Sequence, residues 1–322
     1  MRLNLPILDQ LQDAQNILIA GAGGGFDVFA GLPIYFTLRE MGKTVHLANF
    51  SFSPLEIVGT YCPSTTLEYG LLVGSQGKVG MELPYYPEGF LTQWFEETQG
   101  EDVPIWMFSR TGAKSLAELY DQLLAHLGTI DALILIDGGV DSLSRGDETG
   151  AGTFLEDSIT LSAIEHLDIP IKILACLGFG TELEVCHYNA LDNIAALMTA
   201  NAFYGSCALT KSMDVYQQYE QACRYVWDQR FHSRSHINMR VVSAVDGNFG
   251  DHHLYHDYQK LEVFVSPLMS LYWFFDANAV IERSLIIEHI RDTVKIEDAF
   301  AISIRLRERL QSSARPHRKI PY

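Results

Sequence analysis

The chain is poor in positive charge. Its 322 residues hold 23 Lys and Arg against 40 Asp and Glu, a formal net charge of −17. The deficit is concentrated. Residues 1–223 carry 28 acids and 9 Lys or Arg, whereas residues 224–322 carry 12 and 14. An acidic body repels a phosphate backbone at long range, so no nucleic-acid partner is expected. Cysteine is sparse and scattered. Cys62, Cys176, Cys186, Cys207 and Cys223 form no Cys-x-x-Cys pair, which argues against a zinc ribbon or a disulfide framework. No apolar run reaches the roughly 20 residues of a membrane span, and Met1-Arg2-Leu3-Asn4-Leu5-Pro6 lacks the apolar core of a signal peptide. The expectation is a cytoplasmic protein with no membrane partner.

What remains is ordinary globular composition, 48% hydrophobic and 20% charged. The first 180 residues alternate in period. Apolar runs at 16–20, 44–49, 103–108, 132–136 and 171–176 read as strands. Segments at 27–41, 113–127, 155–166 and 184–200 read as helices, several closed by glycine. Strands separated by helices of this length imply βαβ units and a parallel sheet. Residues 51–100 show no long period and read as an insertion. Further on, 213–230, 279–291 and 297–310 have helical spacing, 236–245 alternates like a strand, 261–264 reads as a short strand, 268–275 is apolar and aromatic, and Arg315-Pro-His-Arg-Lys-Ile-Pro-Tyr322 is a basic, solvated tail. The predicted fold is α/β, a Rossmann-like three-layer sandwich with a mostly parallel sheet and a C-terminal helical elaboration. Residues 1–310 form one domain and 311–322 the tail; a homo-oligomer is expected.

Three strand ends share a character. The first runs into Gly21-Ala-Gly23-Gly24-Gly25-Phe-Asp27, the fourth into Asp137-Gly138-Gly139-Val-Asp141-Ser142-Leu-Ser-Arg145-Gly-Asp147-Glu148, and the fifth into Leu177-Gly178-Phe-Gly180-Thr-Glu182. In parallel sheets ligands sit outside the carboxyl ends of strands, so these loops are expected to converge on one pocket. Gly21, Gly23, Gly24 and Gly25 before a helix would aim N–H groups at a phosphate or carboxylate. The loop is not a P-loop, having no Gly-Lys-Ser/Thr, and Phe26 stands where the last glycine of a dinucleotide fingerprint belongs. The expected ligand is a small molecule bearing phosphate or carboxylate, contacted by these glycines and by Asp27, Gly138, Gly139, Ser142, Gly178, Gly180 and Glu182.

Asp137, Asp141, Arg145, Asp147 and Glu148 are the catalytic candidates. Carboxylates at a strand tip hold Mg²⁺, act as general bases or bind ribose hydroxyls, and Arg145 can clamp a phosphate. Mg²⁺ or a nucleotide, ATP or NAD, is the cofactor expectation. Thr153 with Glu156 reads as a capping box. His252 and His256 would share a helical face and offer a metal pair, against the plainer reading of hydrogen-bonded histidines. Cys176 reads as a small core residue, and Arg110 as added charge near the pocket.

The first loop, the Asp137–Glu148 run with Gly152-Thr-Phe-Leu-Glu-Asp157 after it, and Gly178-Phe-Gly-Thr-Glu182 together resemble an uncharacterised prokaryotic family, the domain of unknown function numbered 1152. The resemblance implies a Rossmann-like fold. Gly21-Ala-Gly23 followed by Gly31-Leu-Pro33 is also similar to sirtuin-type NAD sites, with two more residues between the halves and no Asp-Phe-Arg after Pro33. Deoxyhypusine-synthase-like NAD clefts are similarly rich in glycine and acid. The leading functional expectation is an enzyme for phosphoryl or glycosyl transfer or hydrolysis on a nucleotide or phosphorylated small molecule. A nucleotide-sensing regulatory protein without catalysis and an NAD-dependent transferase are the alternatives.

Overall fold

The computed structural model describes the chain apart from residues 63, 67–71, 75–78, 80–82, 149–153, 183, 256–263, 311–313 and 321–322. In chain order its elements are β1 (Asn16–Gly21), α1 (Asp27–Ala30), α2 (Leu32–Glu40), β2 (Thr44–Phe50), α3 (Leu55–Tyr61), β3 (Ser64–Thr66), β4 (Leu72–Gly74), α4 (Pro87–Trp94) and β5 (Ile105–Phe108). Then follow α5 (Ala113–Leu127), β6 (Ala132–Asp137), α6 (Phe154–Ile164), β7 (Ile171–Leu177), α7 (His187–Thr199), β8 (Phe203–Ala208) and α8 (Asp214–Trp227). The chain closes with α9 (His236–Val245), β9 (Leu271–Asp276), α10 (Ala277–Arg283), α11 (Ile287–Ile290) and α12 (Ile296–Leu310).

Among the described residues nine strands make one sheet, ordered β3-β4-β5-β2-β1-β6-β7-β9-β8. The five central strands, β5, β2, β1, β6 and β7, are parallel. Antiparallel pairs extend both edges, β4 with β3 outside it on one side and β9 with β8 outside it on the other. Numbered along the chain, the parallel strands lie 3-2-1-4-5, the order of a doubly wound sheet. Its winding reverses between β1 and β6, the switch point at which the strand ends of such sheets form a crevice.

Alternation along each strand builds the layers. Ile17 and Ile19, Val45 and Leu47, Ile134 and Ile136, and Ile173 and Ala175 face a core shared with α1, α2, α4, α8 and α9. Leu18 and Ala20, Ala48 and Phe50, Leu133 and Leu135, and Leu174 and Cys176 face another, shared with α5, α6, α7, α10, α11 and α12. This is the expected α/β three-layer sandwich. No helix among the described residues is long and apolar enough to cross a membrane.

Four expectations need correction. Residues 236–245 form helix α9 and not a strand. Ser235 caps it by accepting from the Asn238 N–H, and Asn238, Met239, Val241, Val242, Ser243 and Ala244 are buried. Packing of that face overrides the β-branched composition. The helix expected at 27–41 is broken at Gly31, where a side chain's Cβ would lie 2.8 Å from Ile19 Cγ2; Gly31 through Pro33 thus serve packing on the sheet. The helix expected at 279–291 is two, α10 and α11, and α10 starts early because the Asp276 carboxylate accepts from the Asn278 and Ala279 N–H groups. The tail is not simply solvated. Arg315 donates to Asp147 and Asp192, and its N–H bonds the Asp147 carbonyl. Strand β8 went unread in the sequence. Residues 261–263 of the short segment at 261–264, and Thr153 of the capping box, lie outside the described residues.

Gly24 shows why the first loop needs glycine. Its φ is +96°, and a Cβ there would meet the Phe50 carbonyl oxygen at 2.3 Å. Both the backbone region and the close approach exclude a side chain. Gly24→Ala is expected to lower stability by at least about 1–3 kcal/mol, read as a shifted urea midpoint at unchanged m-value.

Candidate functional site

The crevice between β1 and β6 is filled with carboxylates. Asp27 opens α1 and turns back into the glycine loop. Its Oδ2 accepts the N–H groups of Gly23 and Gly24 at 2.8 and 2.9 Å, and its Oδ1 accepts the N–H of Gly138 at 3.2 Å. The amides expected to receive a ligand's phosphate are therefore occupied by the protein's own anion. From the β7 end, Glu182 Oε2 accepts the Val140 N–H at 2.8 Å. Asp137, the last residue of β6, has its Oδ2 held by the Ser142 hydroxyl and N–H. Asp141 follows in the same loop, and Asp157 arrives from the first turn of α6. The three strand ends do converge.

Ligand-capable oxygens of Asp137, Asp141 and Asp157 all lie within 4.8 Å of one another, and all three residues are buried. Asp157 lies against the glycine loop, where a Cβ on Gly23 would come within 2.6 and 2.9 Å of its carboxylate oxygens. A Cβ on Gly139 would similarly meet the Glu182 carboxyl carbon at 2.5 Å. Gly23 and Gly139 thus make room for the protein's own acids. Gly178 and Gly180, both at positive φ, shape the turn that delivers Glu182. Gly21 abuts the Asn49 side chain.

Like charges buried together resist ionisation. Burial, then repulsion from Asp141, pushes the Asp27 carboxyl from an ordinary 3.8 up to about 7, against the pull of its three N–H donors. Burial first, and neighbouring carboxylates second, hold Asp137, Asp157 and Glu182 well above the ordinary range.

The other sequence candidates fall elsewhere. Glu148 accepts from the Arg145 and Gly146 N–H groups, from Asn193 Nδ2 and from Arg315. Asp147 pairs with Arg315 at 2.9 Å, and the Arg145 guanidinium reaches the Arg283 carbonyl and Asp147. These three residues form an ion-paired knot that anchors the tail. His252 bonds Ser243 and His253 pairs with Asp251 in a non-helical segment; His256 lies outside the described residues. Cys176 is fully buried beside Ser142, and burial pushes its thiol up, as a core residue requires.

Sequence reasoning passed over three contributors. Asp157 was visible only as the second of two acids after an apolar pair, with nothing to mark it as inward-facing. Glu88, on α4 within the insertion, is buried beneath the glycine loop and held by Asn49 and Ser53 at 2.9 and 2.7 Å; Asn49 also bonds the Gly25 carbonyl at 2.8 Å. Arg240, on the misread α9, donates to the Thr181 carbonyl beside Glu182. At the rim, Arg110 lies 4.9 Å over the Phe52 ring and 3.4 Å from Glu156, and Phe52 in turn flanks Gly24 and Gly25.

Fold and site define a class: a doubly wound α/β protein with a buried acidic centre at its switch point. Residues 97–308 match the family described as Protein of unknown function (DUF1152), well over half of the chain, which belongs to that family. The match includes Asp137, Asp141, Asp157 and Glu182 but not the first glycine loop or Asp27. Neither the curated proteins nor the solved structures gave a significant match.

Raised carboxyl pKa values link to stability with a definite sign. Their contribution is present at low pH and lost as pH rises through the folded value, for Asp27 between an ordinary 3.8 and about 7. In chelator-containing buffer the unfolding midpoint is therefore expected to rise as pH falls from about 8 to about 5, unlike ordinary acid destabilisation. Asp157→Asn, which removes a buried ionisable group and breaks no bond to a backbone N–H among the described residues, should flatten that slope. Burial holds the His232 imidazole down to about 4, which acts in the opposite sense in both proteins, so a slope in Asp157→Asn equal to that of the wild type would contradict the shared burial.

Proposed function

We propose that this chain is an enzyme acting on a nucleotide or other phosphorylated small molecule, by phosphoryl or glycosyl transfer or hydrolysis, in the crevice between β1 and β6. The observation that carries this reading is the burial of Asp27, Asp137, Asp141, Asp157 and Glu182 together. Gathering acids away from water costs several kcal/mol per ionised group, and perturbed carboxyls in a cleft are a signature of working sites.

The roles differ from those expected of the loops alone. A phosphate cannot dock on the Gly23 and Gly24 amides, which Asp27 already fills. It must be received by positive charge, from Arg110 at the rim or from a cation held by the carboxylates. Phe52, 39% exposed, is covered by Arg110, and this pair would be the part of the rim beside the glycine loop that meets a ligand. Asp27, with a carboxyl near neutrality, is suited to exchange a proton at physiological pH. Asp141 lies among the other acids and is the residue whose charge raises all of them.

Incubating the purified protein with a panel of nucleotides and sugar phosphates, with products followed by mass spectrometry, tests the reading. Asp141→Asn is expected to lower turnover by roughly 10²-fold or more while its circular dichroism stays that of the wild type. Wild-type turnover in that variant, or no conversion of any member of the panel, would remove the assignment.

A further inference from the structure

The five acids of the crevice divide into two sets. Asp27 and Glu182 tie neighbouring loops together through the Gly138 and Val140 N–H groups, with Asp141 also hydrogen-bonded to Glu182, whereas Asp137 is held within its own loop by Ser142. Asp137, Asp141 and Asp157 instead bring oxygens within 4.8 Å of one another, a span that one ion at about 2.0–2.6 Å from each can bridge. They come from three local structures: a strand tip, a one-turn 3₁₀ helix and the first turn of α6.

A second observation concerns Asp157 alone. Its Oδ1 is buried and has no hydrogen-bond partner among the described residues. An unpartnered carboxylate oxygen shut away from water is costly. A side chain at position 23 would occupy the space in front of this carboxylate, and the chain places glycine there.

We propose that Asp137, Asp141 and Asp157 bind one divalent cation of the hard class, Mg²⁺ or Mn²⁺. The donors are all carboxylate oxygens, with no imidazole among them, and the nearby Cys176 thiol bonds Ser142. Such a set selects oxygen-loving ions over zinc or copper. Ser142 fixes the Asp137 carboxylate from behind through two hydrogen bonds, as outer partners of metal ligands do. Three carboxylates leave part of an octahedral shell for water or for phosphate oxygens of a substrate. The cation would thereby reverse the sign of a crevice that otherwise repels phosphate.

The site rests on the same carboxylate centre as the proposed activity, but not on its being catalytic. Full-length protein stripped with a chelator is titrated with MnCl₂, and bound Mn²⁺ is counted by loss of the free-ion electron paramagnetic resonance signal. One Mn²⁺ per chain is expected, displaced by Mg²⁺ and raising the unfolding midpoint. Asp157→Asn should keep the fold and lose at least about tenfold in affinity. Asp192→Asn, which removes an exposed acid beside Arg315, should bind as the wild type does. No bound Mn²⁺ in the wild type, unchanged affinity in Asp157→Asn, or equal losses in both variants would overturn the proposal. Mn²⁺ bound without turnover of any phosphorylated substrate would keep the site and remove the activity, whereas turnover undiminished by chelator would do the reverse.

Discussion

Asp27 is the tie on which the crevice depends. One buried carboxylate accepts N–H groups from the loop after β1 and from the loop after β6. It thereby locks together the two strand ends between which the sheet reverses its winding. Charge-assisted bonds to N–H groups are stronger than neutral ones, and this group has three of them. The same carboxylate gives up much of its acidity through burial and through Asp141. Structure and charge therefore meet in one side chain, and the shape of the loop is inseparable from the protonation of the cluster.

Around this tie the protein spends stability to gather acids. Glu88 lies below the glycine loop and is satisfied by Asn49 and Ser53; Glu182 is satisfied by Val140. These buried carboxyls have hydrogen bonds of the kind that make burial tolerable. The knot of Arg145, Asp147, Glu148 and Arg315 is different in kind, since opposite charges balance there and the C-terminal tail is held. Two acidic groups a few residues apart in one loop thus have opposite physical characters, repulsive at Asp141 and paired at Glu148.

Much of the fold was legible. Strand–helix alternation over the first 180 residues gave the parallel strands and the layers, because period two and period 3.6 are set by local geometry. Helix α5 matches its expected bounds, closed by Gly128. The convergence of the three loops was legible too, since strand ends of a doubly wound sheet must share an edge. Residues 236–245 were not legible, because a short apolar segment satisfies both periods and only its packing face decides. Nor was Asp157 distinguishable from Glu156, its neighbour. One turns inward among carboxylates, while the other meets Arg110 at the rim.

The sequence by itself determined that acids and glycines would crowd the carboxyl ends of parallel strands. Residue type and spacing carry that information locally. Tertiary structure alone decided what those residues do to one another. It filled the glycine amides with Asp27 where a ligand's phosphate was expected, drew Asp157 into the cluster, and sent Asp147 and Glu148 away to Arg315. Such outcomes turn on distances between residues up to 168 positions apart in the chain, and a carboxylate's environment is set by what folding brings within a few ångströms of it.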